Sequence, residues 1–182
     1  MRVIAGQYKG ARLYTPKNLH IRPTTDRVKE YIFSCLMNRI SSATILDLFA
    51  GTGSLGIEAK SRGAARVDFV DQADQAVNII KMNMQKLGLG ENIFKMNALT
   101  FISYAYERGF CYDLIFCDPP YGFEFSTVLQ AFMHKTITSP DGLIVYESNA
   151  QHTNPVIHES VIVEKEKKLG NTKITFFKMS TL

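Results

Sequence analysis

The stretch ILDLFAGTGSLGIEAKSRGAARVDFVD, residues 45–71, decides the fold. Ile45–Phe49 is a short, largely apolar run of strand length. A glycine-rich turn follows, then a helical stretch to about Arg62, stopped by Gly63, and a second apolar run at Val67–Val70. Strand, turn, helix and strand make a β-α-β unit, whose crossover is right-handed and whose strands lie parallel in one sheet. The turn carries Gly51-x-Gly53-x-x-Gly56. Glycines there permit a tight turn and let a ligand approach the backbone. Asp71 closes the second strand, 20 residues after Gly51. A carboxylate at that point accepts hydrogen bonds from both ribose hydroxyls of an adenosine.

Downstream the alternation continues. A helix from Asp74 presents Val77, Ile80, Met84 and Leu87 on one side and ends at Gly88. Ile93–Met96 reads as a strand, Leu99–Arg108 as a helix ending at Gly109, and Asp113–Cys117 as a strand. Ser126–His134 is a helix and Leu143–Tyr146 a strand. Val161–Lys167 and Lys173–Lys178 flank Gly170-Asn171, a hairpin signal, so the last strand is expected to run antiparallel. The expected architecture is α/β and Rossmann-like: a mostly parallel seven-stranded sheet with helices on both faces.

Upstream, residues 2–5 and 11–15 read as two short strands around Gly6-Gln7-Tyr8-Lys9-Gly10. A loop with Pro16 and Pro23 leads to a helix from the cap candidates Thr24, Thr25 and Asp26 to about Arg39. Val28, Ile32, Cys35, Leu36 and Ile40 form its buried stripe. The boundary falls near residue 40. Residues 1–40 are expected to form a basic hairpin and helix, and residues 41–182 the domain that carries the glycine turn. The stripe from Val28 onward is expected to cover the sheet even without residues 1–22; the competing reading is that the hairpin completes the ligand pocket or the core.

Composition narrows the class. Apolar residues make up 46% and charged residues 21% of the 182, which is ordinary globular usage. With 12 Phe and 8 Tyr the chain buries enough surface to escape disorder. No apolar run approaches the ~20 residues of a membrane span, and the start MRVIAGQYKG has no signal-peptide core. Three cysteines (Cys35, Cys111, Cys117) without a C-x-x-C pair fit a reduced cytoplasmic chain. No Cys/His cluster has zinc spacing, so no metal is expected. The net charge of +4 is unevenly spread: residues 1–40 carry +6 and the remainder −2. Such asymmetry suits a polyanion-facing segment, or simply a solvated basic surface. The candidate phosphate contacts are Arg2, Lys9, Arg12, Lys17 and Arg22, with Gln7 and Tyr8 at the hairpin tip reaching base or sugar.

Asp47 discriminates among adenosine cofactors. A pyrophosphate is repelled by an anion at the strand end. A carboxylate there suits a cofactor with a cationic end, such as the sulfonium and ammonium of S-adenosylmethionine. The other reading of Asp47 is a strand-end side chain that caps the turn. Asp118-Pro119-Pro120-Tyr121 then follows the strand Asp113–Cys117. Two prolines cannot continue a parallel strand and stiffen a loop at its carboxyl end. The Asp118 carboxylate and Pro119 carbonyl can hold both N–H groups of a nucleobase amine, turning its lone pair towards a donor methyl. The Tyr121 ring can stack on a base taken out of its helix. Cys117, one residue earlier, points to the other face and reads as core.

In this order the chain resembles one family. GQYKGARL (Gly6–Leu13), RPTTDRVKEYIF (Arg22–Phe33), LDLFAGTGSLGIEAKSRGA (Leu46–Ala64), FCDPPY (Phe116–Tyr121) and VYES (Val145–Ser148) are similar to the RsmD family of small-subunit ribosomal RNA guanine-N2 methyltransferases. The resemblance implies a class I methyltransferase, with Asp47, Gly51 and Gly53 around the methionine and ribose of S-adenosylmethionine. It also implies Asp71 on the ribose hydroxyls, Asn97 beside the adenine, and Asp118, Pro119, Pro120 and Tyr121 on the target guanine. Two positions depart from the pattern: Ala73 stands where many relatives carry an acid, and Asn97 where many carry Asp. The implied substrate is 16S ribosomal RNA within a small-subunit particle, acted on by a cytoplasmic monomer. A DNA adenine-N6 methyltransferase, a nicotinamide oxidoreductase and a non-catalytic RNA-binding assembly factor are the rivals. The first lacks room for a target-recognition domain in a chain of this length. Asp47 and the prolines speak against the second, and an intact Asp118 against the third.

Overall fold

The computed structural model describes residues 1–15, 24–120, 122–151 and 158–179. In chain order the elements are α1 (Asp26–Leu36), β1 (Thr44–Leu48), α2 (Ser54–Ser61), β2 (Arg66–Asp71), α3 (Asp74–Leu87), β3 (Asn92–Lys95) and α4 (Ala98–Glu107). They continue with β4 (Tyr112–Cys117), α5 (Phe125–His134), β5 (Thr138–Asn149), β6 (Val161–Leu169) and β7 (Thr172–Met179). The sheet order is β3-β2-β1-β4-β5-β7-β6. The pairs among β1 to β5 are parallel, and β7 runs antiparallel between β5 and β6. The expected alternation and the antiparallel tail are therefore present. Strand order reverses between β1 and β4, and at such a switch point the carboxyl ends of the strands splay into a crevice.

Burial explains the layers. Ile45, Leu46 and Leu48 of β1 are fully covered, because helices lie on both faces of the sheet. Val28, Ile32, Phe33 and Ile80 from α1 and α3 join Val3 and Leu13 in one core. Phe101, Ile102, Phe125 and Phe132 from α4 and α5 fill the other. Thr25 caps α1 by accepting from the Val28 amide at 3.3 Å. α1 ends at Leu36 in a 3₁₀ turn over Met37–Arg39, earlier than its apolar stripe implies. β5 starts at Thr138 although Pro140-Asp141-Gly142 reads as a turn, because β4 and β5 pair at Tyr112↔Thr138 and resume at Leu114↔Leu143. The intervening residues loop out as a bulge.

The N-terminal segment is a hairpin in outline only. One antiparallel bridge, Arg2↔Arg12, replaces the two expected strands. The reason is a competing acceptor: the Glu58 carboxylate on α2 takes the Ile4 amide at 2.7 Å and the Ala5 amide at 3.0 Å. Glu58 also accepts from Arg62 Nε at 2.8 Å and faces Lys29 Nζ at 3.8 Å, and Lys29 donates to the Arg2 carbonyl at 2.6 Å. Lys29 and Glu58 are both 0% exposed. Burial holds the Lys29 ammonium below its ordinary pKa, and Glu58 only partly offsets this. At the tip, the Ser61 hydroxyl donates to the Ala5 carbonyl at 2.6 Å and accepts from the Tyr8 amide at 2.9 Å, while the Gln7 amide donates to the Ser61 carbonyl at 2.7 Å. A Cβ on Gly6 would lie 1.8 Å from that carbonyl oxygen, so only glycine fits. The hairpin thus adds Val3 and Leu13 to the core layer that α1 covers.

Glu58→Ala leaves the Lys29 ammonium buried without its counter-charge, which costs about 3–5 kcal/mol. Lys29→Met in the same chain should recover part of that loss, because the two side chains share one network. Urea unfolding of both single variants and the double variant checks this. Strictly additive losses would show that the pair is not coupled.

Candidate active site

The turn between β1 and α2 forms the floor of the site. Phe49, Gly51 and Gly53 have φ of +67°, +54° and +76°, so the chain leaves β1 through left-handed backbone. Gly56 is required by packing instead: a Cβ there would lie 2.3 Å from the Phe69 ring, preventing α2 from lying against β2. Two carboxylates hold the turn. Asp47 accepts from the Gly56 amide at 2.9 Å. Asp71 accepts from the Gly51 amide through one oxygen and from the Ala73 amide through the other, both at 2.9 Å. Each Asp71 oxygen keeps a further lone pair for a ligand hydroxyl. Asp47 is buried and its pKa is pushed up to about 7, chiefly by burial, with the Gly56 amide working against the shift and the Asp71 charge adding to it.

Beyond the carboxyl ends of the strands lies a cleft of about 660 Å³, within the usual range for a cofactor site. Gly51, Asp71, Met96, Asn97 and Leu99 line it together with Asp118, Pro119, Pro120 and Phe123. Met96 and Leu99, on either side of Asn97 in the chain, give the cleft apolar lining. Asn97 caps α4 by accepting from the Thr100 amide at 2.9 Å, which leaves its amide N–H groups as donors. Thr24, buried where the chain enters α1, donates its hydroxyl to Asp118 at 3.4 Å. The Phe49 and Phe123 rings meet edge to face at 5.1 Å. Tyr146 stacks on Phe125 at 3.7 Å, and burial pushes its hydroxyl up to about 12. Burial, reinforced by the Asp47 and Asp118 charges, holds the Cys117 thiol well above its ordinary pKa. It is a protonated core side chain, as the sequence implies.

The structure therefore brings together Gly51, Asp71, Asn97, Asp118, Pro119 and Pro120 around one cleft. Asp47 and Gly53 are not among its lining residues: Asp47 is buried against the turn, and Gly53 is buried within it. Tyr121 lies outside the described residues, as do Lys17 and Arg22. Arg2, Gln7, Lys9 and Arg12 are exposed on the hairpin, whose tip is bound to the C-terminal end of α2. That end lies toward the amino ends of the parallel strands, about 12 Å from the glycine turn along the axis of α2. Sequence reasoning gave no site role to Phe49, Thr24, Met96, Leu99 or Phe123. Phe49 and Thr24 lie inside stretches it quoted, and the other three stand one or two residues from Asn97 or Tyr121. Among the described residues no cluster of His, Cys, Asp and Glu is placed to hold a metal, and no helix is long and apolar enough to cross a membrane.

The family model described as "Conserved hypothetical protein 95" matches residues 1–178. Ribosomal RNA small subunit methyltransferase D of Escherichia coli (strain K12) is 33% identical, covering 93% of this chain and 85% of its own. The protein of the same name from Haemophilus influenzae is 33% identical, covering 93% and 89%. Among solved structures, yhhF of Escherichia coli superposes with a TM-score of 0.87 at 28% identity over 100% of this chain and 99% of its own. The resemblance read from the sequence motifs is borne out.

The buried Asp47 makes stability depend on pH. An unfolded aspartate ionises near 4, whereas the native side chain keeps its proton to about 7. Between those values the native state binds more protons, so this group's contribution falls as pH rises through that window and then levels. In Asp47→Asn, whose amide oxygen can still accept from Gly56, the decline from pH 5 to pH 8 should be smaller. Unfolding midpoints at both pH values measure it, and an equal decline in the variant would contradict the assignment.

Proposed function

The chain belongs to the family of ribosomal RNA small subunit methyltransferase D, and from that premise we propose that it methylates the exocyclic N2 amine of a guanine in small-subunit ribosomal RNA. S-adenosylmethionine is the methyl donor in this reading. One observation carries it: Asp118-Pro119-Pro120 opens into the same cleft as Asp71 and Asn97. A cofactor-binding half and an amine-holding half that share one cavity are the minimum a methyl transfer between two bound molecules needs.

The residues fit the cofactor. Asp71 takes the ribose hydroxyls with the lone pairs its amide partners leave. Asn97 offers N–H donors to the adenine ring, and Met96 and Leu99 enclose its faces. Asp47 contributes from below, through the shape of the turn and a negative charge that grows above pH 7. When bound, S-adenosylmethionine supplies an electrophilic methyl group on a cationic sulfur. The protein's own contribution is positioning. A guanine amine is a weak nucleophile because its lone pair is delocalised into the ring. Asp118 and the Pro119 carbonyl accept its two N–H bonds, and the prolines fix both acceptors. Thr24 in turn steadies Asp118. Holding reactants near attack geometry is worth ~7–11 kcal/mol, enough to dispense with a covalent intermediate. Tyr121 stacks on the extruded base, and Arg2, Lys9, Arg12, Lys17 and Arg22, with Gln7, grip the RNA backbone. The substrate is RNA in a small ribosomal subunit particle, and the site of action is the cytoplasm.

Asp118→Ala should bind S-adenosylmethionine as the wild type does, yet transfer no methyl group to ribosomal particles. Asp71→Asn, by losing a charge-assisted bond, should weaken cofactor binding by roughly 1.5–3 kcal/mol. Calorimetry and methyl incorporation check both, with duplex DNA as the competing substrate. Incorporation into DNA rather than RNA would favour the adenine-N6 reading.

A further inference from the structure

A second carboxylate stands beside Asp118 in the cleft. The last pair of β4 and β5 is Cys117↔Tyr146, in parallel register, and such a pair holds two backbones about 4.8 Å apart. Asp118 and Glu147 are the next residues along the two chains. Val145 shares with Phe116 the core that α1 covers, so Glu147, two residues beyond Val145, points to the α1 side of the sheet. Asp118 is on that side as well, since Thr24 at the entry to α1 donates to it at 3.4 Å. Both residues line the cleft, and Glu147 is only 9% exposed. Its mounting is firm. β4 ends at Cys117, but β5 runs on to Asn149, and β7 holds that extension through Glu147↔Ile174, Ser148↔Lys173 and Asn149↔Thr172.

Glutamate is seldom buried unless paired, and Glu147 has an interaction within the chain. That does not exhaust a carboxylate, whose two oxygens offer about four acceptor sites. What a second acceptor selects depends on the ring atom beside the reacting amine. In guanine the N2 amine is flanked on one side by N1–H, a donor. The N6 amine of adenine is flanked by bare N1, and the N4 amine of cytosine by bare N3, both acceptors. Two protein acceptors side by side therefore match the edge of guanine and repel the other two.

We infer that Glu147 is the residue that selects guanine: its carboxylate accepts from N1–H while Asp118 and the Pro119 carbonyl hold the N2 amine. This rests on the proposed guanine-N2 reaction and adds to it the contact that reads the base. A base taken out of its helix is read through hydrogen bonds to this edge, and a site built to bond a substrate N–H strongly rejects an analogue that lacks it. The Asp118-Pro119-Pro120 loop serves any nucleobase amine, and Glu147 decides which. The same bond draws the N1 proton away from the ring and leaves more electron density on N2, which a weak nucleophile needs.

The test exchanges the acceptor for a side chain that also donates. Wild type and Glu147→Gln, each as the full chain, are given S-adenosylmethionine and two kinds of small ribosomal subunit particle. One carries guanine at the nucleotide the wild type methylates, the other 2-aminopurine, which keeps the N2 amine but has a bare N1. Wild type should methylate the first and scarcely the second. Glu147→Gln should lose roughly ten- to hundred-fold in kcat/KM on guanine, the effect of one hydrogen bond to a charged group. On 2-aminopurine it should lose less or gain, because its amide N–H can donate to N1. The preference for guanine thus falls by about ten-fold or more, with S-adenosylmethionine affinity retained. A glutamate that only steadied the fold would slow both substrates alike, so an unchanged preference in Glu147→Gln would overturn the inference whatever its overall rate. Wild type that methylates both particles equally well would overturn it without any variant. A wild type that methylates another base, or no RNA, would instead overturn the reaction on which the inference rests.

Discussion

Two carboxylates gripping one glycine turn set the geometry on which the rest of the molecule depends. Asp47 holds Gly56 and Asp71 holds Gly51, so the turn is fixed at both ends and α2 can start only where Gly56 lets it lie on Phe69. The direction of α2 then decides where Glu58 and Ser61 emerge, and those two side chains seat the N-terminal hairpin. The hairpin and α1 bring Thr24 back over the sheet to Asp118. A local constraint at the first strand end thus reaches the Asp118-Pro119-Pro120 loop through a chain of packed elements.

The alternating elements were legible because their signals are local. Gly88, with a φ of +66°, stops α3 at the position its sequence implies, and Gly170-Asn171 turns β6 into β7 as expected. Gly51, Asp71, Asn97 and Asp118 were equally legible, since a doubly wound sheet sends every strand's carboxyl end to one crevice. Other features depend on partners far along the chain. Nothing near Glu58 says that its carboxylate will meet the amides of Ile4 and Ala5, more than 50 residues away. Lys29 breaks the apolar stripe of α1 for the same reason. Asp47 is chemically ambiguous, because a strand-end carboxylate can serve a cation or an amide, and only its burial beneath the turn separates the two. Ser148 and Lys168 both face Lys173 only because β7 inserts between β5 and β6. Pairing of that kind is invisible in a list of strands.

Division of labour follows from these positions. Groups that must hold still are buried and accept from backbone amides, as with Asp47 and Glu58, while half-buried Asp71 holds the turn and keeps lone pairs for a ligand. Groups assigned to the substrates sit on loops at the strand ends, where Asp118 is only partly covered and Asn97 exposed. A rigid scaffold with its chemistry on loops makes positioning the natural source of catalysis here, and positioning is what a weak amine nucleophile needs.

The most direct test is the identity of the nucleoside the enzyme makes. Small ribosomal subunit particles lacking the modification are incubated with the protein and S-adenosylmethionine carrying a deuterated methyl group, and the RNA is digested to nucleosides for mass spectrometry. The account predicts the deuterated methyl on the exocyclic amine of guanosine. A label on adenosine, on a ring carbon, or nowhere in the RNA would contradict it.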